Sequence, residues 1–223
     1  MEKNGIKRKC SHCGEYFYID RNNIEEAIYY DKKTYHSNCF ISLCNRRSNS
    51  KRQDVATKWK SILNNLSFIK QESKEYFAIA IAKEMTFVFI RENYGVTIIS
   101  NSTIQKIANI YNGTFKGMGV GIPPIHLLDM WNKKIDMLNE IYEANKTKGK
   151  KMTSEQRINY DLSVLINKYD SYLKWLEKQK ILEVEKETTS EEKLICSNIA
   201  PVKNNSDSDC LDDISDLVDD IFG

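Results

Sequence analysis

Apolar residues recur at helical spacing in several separate stretches between about residues 55 and 176 of this chain. In "VATKWKSILNNLSFI", Val55, Trp59, Ile62, Leu63 and Leu66 fall three or four apart, which predicts an amphipathic helix with Asp54 as its N-cap. The run from Ser73 to Asn93 supports two readings. Phe77, Ile79 and Ile81 alternate as in a strand, whereas the length of the run and its lack of a turn residue favour a buried helix ending at Gly95. "VTIIS" predicts a short extended piece, after which Ser102 or Asn101 caps a helix through Tyr111 with Ile104, Ile107, Ala108 and Tyr111 on one face.

"NGTFKGMGVGIPP" holds four of the nine glycines and two of the three prolines, so it predicts an irregular loop. Pro124 suits the first turn of the next helix, where its missing N–H would have no partner anyway. That helix runs to about Asn145, with Leu127, Leu128, Trp131, Ile135, Leu138 and Ile141 as its stripe. A basic connection follows, and "TSEQ" has the form of a capping box opening a last long helix at Thr153 or Ser154. Its apolar face is Ile158, Leu162, Leu165, Ile166, Tyr169, Leu173 and Leu176. From Glu183 the apolar content falls away, until "CLDDISDLVDDIFG" again sets Leu211, Ile214, Leu217, Val218, Ile221 and Phe222 at helical spacing among aspartates. The expected fold is mainly α, in three parts: a small module over 1–50 that is short in apolar residues, a helical domain over 51–182, and a disordered acidic tail over 183–223 with a short amphipathic helix at its end.

Composition narrows the class. A chain with 41% hydrophobic residues can bury a core, so wholesale disorder is not expected. The most apolar stretch, "YFAIAIAKEMTFVFI", carries Lys83 and Glu84 at its centre and is shorter than the roughly 20 residues that cross a bilayer, so no membrane partner is expected. The charged start "MEKNGIKRKC" does not read as a signal peptide, and four of the six cysteines crowd into the first 44 residues. The expectation is a cytoplasmic protein whose thiols bind metal, not a secreted disulfide scaffold.

Those cysteines supply the clearest chemistry. Cys10 and Cys13 are two residues apart, and so are His36 and Cys39 after a gap of 22 residues. A Cys-x2-Cys turn lets both sulfurs face one ion, and a second pair on the first turn of a helix completes a tetrahedron. Gly14 suits the tight knuckle behind Cys13, where a positive φ helps. The expected cofactor is one structural Zn2+, because four protein ligands leave no open position for hydrolytic chemistry. His12 and Cys44 lie close enough in sequence to substitute and are read as bystanders.

The pattern C-x2-C-x22-H-x2-C with "YHSNCF" resembles the first zinc half of LIM domains and related treble-clef knuckles over about residues 8–45. The resemblance implies a hairpin knuckle holding Cys10 and Cys13, a following element holding His36 and Cys39, and Tyr and Phe rings packed around the ligands. LIM domains continue at once with another C-x2-C. Here Cys44 follows five positions on and no pair comes after it, so a two-zinc LIM domain is excluded.

Charge is unevenly spread. Residues 1–182 hold 30 Lys/Arg and 19 Asp/Glu, a balance of +11, while residues 183–223 hold 3 and 12, a balance of −9. Lys outnumbers Arg 26 to 7, a bias that AT-rich coding also produces. Three basic runs could meet phosphates: Lys7, Arg8 and Lys9 before the knuckle; Arg46, Arg47, Lys51 and Arg52 after it; and Lys148, Lys150 and Lys151 in the later connection. Tyr16, Phe17 and Tyr18 could stack on bases or pack around the metal. At the other end, Leu217, Val218, Ile221 and Phe222 could fill an apolar groove while the neighbouring aspartates meet a basic rim. This end resembles the acidic C-terminal tips of bacterial single-stranded-DNA-binding proteins, although it closes on Gly223 and no OB-fold pattern precedes it. The same tail could instead fold back on the basic body.

No phosphate-cradling glycine motif and no Ser or Cys nucleophile with a nearby His is apparent, so no enzymatic activity is expected. Two functions remain. One is a non-enzymatic, nucleic-acid-associated accessory factor of replication or transcription, of bacterial or phage type, with the tail docking a protein partner. The other is a protein-interaction adaptor or inhibitor with a purely structural zinc and no nucleic-acid binding.

Overall fold

The computed structural model describes residues 5–116 and 118–196, with side chains to residue 186. It opens with two small antiparallel hairpins. β1 (Gly5–Lys9) pairs with β2 (Tyr16–Asp20), so that Ile6 faces Ile19, Lys7 faces Tyr18, Arg8 faces Phe17 and Lys9 faces Tyr16. A single 3-10 turn, Ile24–Glu26, leads to β3 (Ala27–Tyr30), which pairs with β4 (Lys33–His36). The turn between them is only Asp31 and Lys32, both left-handed at φ 50° and 59°. A two-residue hairpin needs positive φ at both positions to match strand twist, and these residues take it without a glycine.

Seven helices follow among the described residues. α1 (Ser37–Ser48) and α2 (Gln53–Asn64) pack on each other, and Asn65 separates α2 from α3 (Leu66–Tyr94). The expected cap Asp54 lies inside the first turn of α2 and pairs with Arg52 at 2.9 Å. α3 settles the ambiguous run as helix. Ile69, Ser73, Phe77 and Ile81 form a buried i, i+4 row, while Ile79 points outward, so the apparent alternation is one helical stripe with an exposed residue between its members. Gly95 closes α3 in the left-handed conformation, φ 62°.

"VTIIS" forms an irregular connection instead of the expected extended piece; it has no strand to pair with among the described residues, and Ile98 is solvent-exposed. Its last residue, Ser100, is the N-cap of α4 (Asn101–Asn112), one position before the expected caps, and accepts from the Thr103 N–H. In the following loop a Cβ on Gly121 would collide with the Tyr111 carbonyl, which explains a glycine there. α5 (Pro124–Thr147) begins on its proline, and Trp131 packs edge-on against Tyr94 of α3 and donates its Nε1–H to the Tyr94 hydroxyl at 2.8 Å. The capping box forms as expected: the Thr153 N–H donates to Gln156 Oε1 at 2.9 Å, and the Gln156 N–H donates back to Thr153 Oγ1 at 3.2 Å.

α6 (Ser154–Asn167) and α7 (Tyr169–Cys196) complete the described chain, which parts into two compact units after Asn159. In the second unit Leu162, Leu165 and Tyr172 are buried, and the rings of Tyr169, Tyr172 and Trp175 stack in series. α7 runs on through Cys196, so the acidic turn in composition at Glu183 is not a break in the helix. The amphipathic segment with Leu217, Val218, Ile221 and Phe222 lies outside the described residues. No helix among those described is long and apolar enough to cross a membrane.

The N-terminal hairpins share their cores with the helices, and residue 50 marks no gap in packing. Ile6, Ile19, Ile24 and Ala27 bury against Phe77 and Ile81 of α3. A second cluster unites Cys10, Ile28, Tyr35, Phe40 and Cys44 with Ile62 of α2 and Ile69 of α3. Ser73 stitches β3 to α3, accepting the Tyr29 N–H at 2.9 Å.

Candidate metal centre

The four predicted ligands converge. Cys10 follows β1 directly, and the chain then folds back on itself: the Gly14 N–H donates to the Cys10 carbonyl at 2.9 Å, and the Cys10 N–H to the Glu15 carbonyl at 2.8 Å. Gly14 takes φ 82°, the left-handed geometry its place in the knuckle requires. The Ser11 N–H donates to the Thr34 carbonyl at 2.9 Å, tying the knuckle to β4. His36 ends β4 and is the N-cap of α1, which sets Cys39 in the first helical turn. A strand and a helix meeting at His36 thus supply the second ligand pair.

One ligand atom from each of Cys10, Cys13, His36 and Cys39 lies within 4.8 Å of the other three. Cys13 Sγ is 3.5 Å and Cys39 Sγ 3.7 Å from His36 Nδ1. Sulfur at about 2.3 Å and nitrogen at about 2.0 Å from a tetrahedral zinc would be roughly 3.6 Å apart, so these spacings fit such an ion without rearrangement. Three thiols and an imidazole form a Cys3His set suited to zinc. The Phe17 ring sits 4.0 Å from the His36 ring and limits its rotation. Cys10 is fully buried and Cys13 exposed, so the centre has a dry side and a wet one.

The thiols compete for charge. Burial acts to raise Cys10, but the backbone N–H groups of Cys13, His36 and His12, with the Cys13 side chain, outweigh it and bring it from 9.0 down to about 6. Burial, then hydrogen bonds and charge from Cys13 and Cys10, push Cys39 up to about 11. The charge that settles on Cys10 thus holds back Cys39, and a divalent cation there relieves that conflict.

The two bystanders fall where the sequence reading put them. His12 is exposed, and Cys44 is buried among Phe40, Tyr35 and Ile62, its thiol raised by desolvation. The basic residues are more dispersed. Lys7 and Lys9 lie on the face of β1 that carries Tyr16 and Tyr18 of β2, whereas Arg8 points to the opposite side, beside Tyr76 of α3. Arg46 and Arg47 are exposed at the end of α1, Arg52 is spent on Asp54, and Lys148, Lys150 and Lys151 are exposed between α5 and α6. Phe17, one of the three rings considered for stacking, belongs to the metal site and both cores. Residue spacing could not show that Tyr16 stands under two lysines, because that depends on the pairing register of β1 and β2. Compared with protein-family models, curated proteins and solved structures, the chain matches none of them.

Proposed function

We propose that this chain is a non-enzymatic zinc protein that associates with nucleic acid as an accessory factor of replication or transcription. The order knuckle, hairpin, helix with one Cys3His centre supports a treble-clef-like zinc module whose ion is structural. The observation that carries the nucleic-acid reading is the outer face of the β1–β2 hairpin. Tyr16 is 64% exposed and Tyr18 40%, and the Nζ atoms of Lys7 and Lys9 lie 4.8 Å and 5.7 Å from the Tyr16 ring centroid. An exposed ring between two cations offers a stacking surface for a base and counter-charge for its phosphates. The metal centre directly behind the hairpin would hold that face in place. In this reading the acidic C-terminal segment docks a protein partner.

The test is anisotropy of labelled single- and double-stranded DNA at two salt concentrations, with the full chain and with a form lacking residues 205–223. Affinity should fall with salt, and replacing Lys7 and Lys9 by Ala should reduce the single-strand salt slope by about 1.4. Absence of salt-sensitive binding by both forms would sink the reading. A protein-interaction adaptor is the second reading, favoured by Phe68, Tyr76 and Ile79, which leave apolar surface exposed along α3.

A further inference from the structure

Behind the metal centre, the β3–β4 turn, α1 and α2 enclose a cleft of about 450 Å³. Tyr30 and Trp59 line it, with ring centroids 6.5 Å apart and tilted by 52°. Lys33, Arg47 and Lys58 stand around it, and Asp31 adds one carboxylate. None of those three cations has an ion-pair partner among the described residues, unlike Lys74 and Arg52, which are paired with Glu25 and Asp54. The three cations are exposed and border two half-buried rings, and an anion with a flat apolar part complements both the charge and the accessible ring surface.

We propose that this cleft binds one unstacked nucleotide of a single-stranded nucleic acid, its base against Trp59 and Tyr30 and its phosphate among Lys33, Arg47 and Lys58. The inference rests on the nucleic-acid reading and adds a second contact region to the hairpin face. Asp31 decides between a nucleotide and an acidic peptide. Either ligand brings an anionic group for the three cations, but only a base with exocyclic N–H groups also presents donors that the Asp31 carboxylate accepts. The two-residue turn fixes Asp31 at this border in a left-handed conformation, and after burial its charge is the next influence raising both the Tyr30 and Tyr35 hydroxyls, which places it near them. The volume of about 450 Å³ is also within the range of small-ligand pockets and can hold one nucleotide.

The walls are anchored from below. Phe40 and Cys44 of α1 are fully buried beneath Tyr30 and Trp59, and Phe40 follows the ligand Cys39 directly. The metal centre and the cleft therefore share the start of α1, so an ion held at Cys39 would steady one wall.

The experiment titrates the zinc-loaded 223-residue chain with eight-residue oligo(dC), oligo(dA) and oligo(dT), following tryptophan fluorescence and, separately, anisotropy of the labelled oligonucleotide. The proposal expects quenching that disappears in Trp59→Phe, affinity at least about tenfold weaker in the Arg47→Ala/Lys58→Ala double variant, and dC or dA preferred over dT. Asp31→Asn should reduce that preference. Circular dichroism and zinc content report whether each variant is folded, and Trp59→Phe keeps a ring in the core. Oligonucleotide binding that Lys7→Ala/Lys9→Ala weakens but Arg47→Ala/Lys58→Ala does not would overturn the cleft and leave the proposed function standing. A peptide of residues 205–223 that quenches Trp59 where no oligonucleotide does would overturn the cleft in favour of the chain's own tail. No oligonucleotide binding at all removes the functional reading as well.

Discussion

Two parts of the first unit are built on different physics. Residues 5–48 form two hairpins with strands of only four or five residues and one short helix, and their apolar residues bury mostly against helices that come later in the chain. α3 and α5 are 29 and 24 residues long and bury Phe89, Leu127, Leu138 and Trp131 along their length. Hairpins of this size are marginal alone, whereas long helices with a buried stripe support each other. The first part needs a cross-link, and Cys10, Cys13, His36 and Cys39 provide one if metal is bound. The second needs none. Metal should therefore govern the stability of one part and leave the other nearly untouched, while core substitutions should do the reverse.

The largest effect should come from a ligand. Cys10→Ser should weaken zinc affinity by at least about a hundredfold in competition with a chromophoric chelator and unfold the knuckle, because binding and folding of such a segment are one free energy. Next is Trp131→Ala in the helical part. It removes a fully buried ring and leaves the Tyr94 hydroxyl without its donor, and should cost about 3–5 kcal/mol in urea unfolding while zinc affinity stays unchanged. A fall in zinc affinity there would show that the two parts are not separable.

A pH effect also belongs to the helical part. Burial pushes the Tyr111 hydroxyl from 10.0 up to about 12, against a smaller lowering by its hydrogen bond to Thr86. A raised folded value means that its contribution is fully present below pH 10 and is lost as the pH climbs from 10 towards 12. Melting temperature should fall over that window, and Tyr111→Phe should flatten the fall. Smaller still is the N-cap: Ser100→Ala should cost about 1 kcal/mol by loss of its bond from the Thr103 N–H. The least effect on stability should come from Tyr16→Ala, within about 0.5 kcal/mol for an exposed position, although it should weaken nucleic-acid binding.

Much of this contrast was legible in the residues. Cys10, Cys13, His36 and Cys39 could be read because metal ligands recur at short fixed spacings, and Thr153 and Gln156 because a capping box is local. The run around Ile79 was less clear, since Phe77, Ile79 and Ile81 satisfy a period of two until the longer row from Ile69 is seen. "VTIIS" has strand-like residues but no partner strand among the described residues, and β structure exists only in pairs. Two features were out of reach for a different reason. The Lys7, Lys9 and Tyr16 face depends on hairpin register, and the cleft draws Asp31, Arg47 and Trp59 from a turn and two helices that only tertiary folding brings together.

The claim that metal holds the N-terminal layer while the helices hold themselves can be measured directly by amide hydrogen exchange of the zinc-loaded protein before and after chelation. With one zinc per chain removed, protection should be lost across β1 to β4 and the start of α1 and retained in α5 and in the last third of α3, where Phe89 and Tyr94 pack on Trp131. Protection that persists in residues 5–40 without metal, or that collapses equally in α3 and α5, would contradict it.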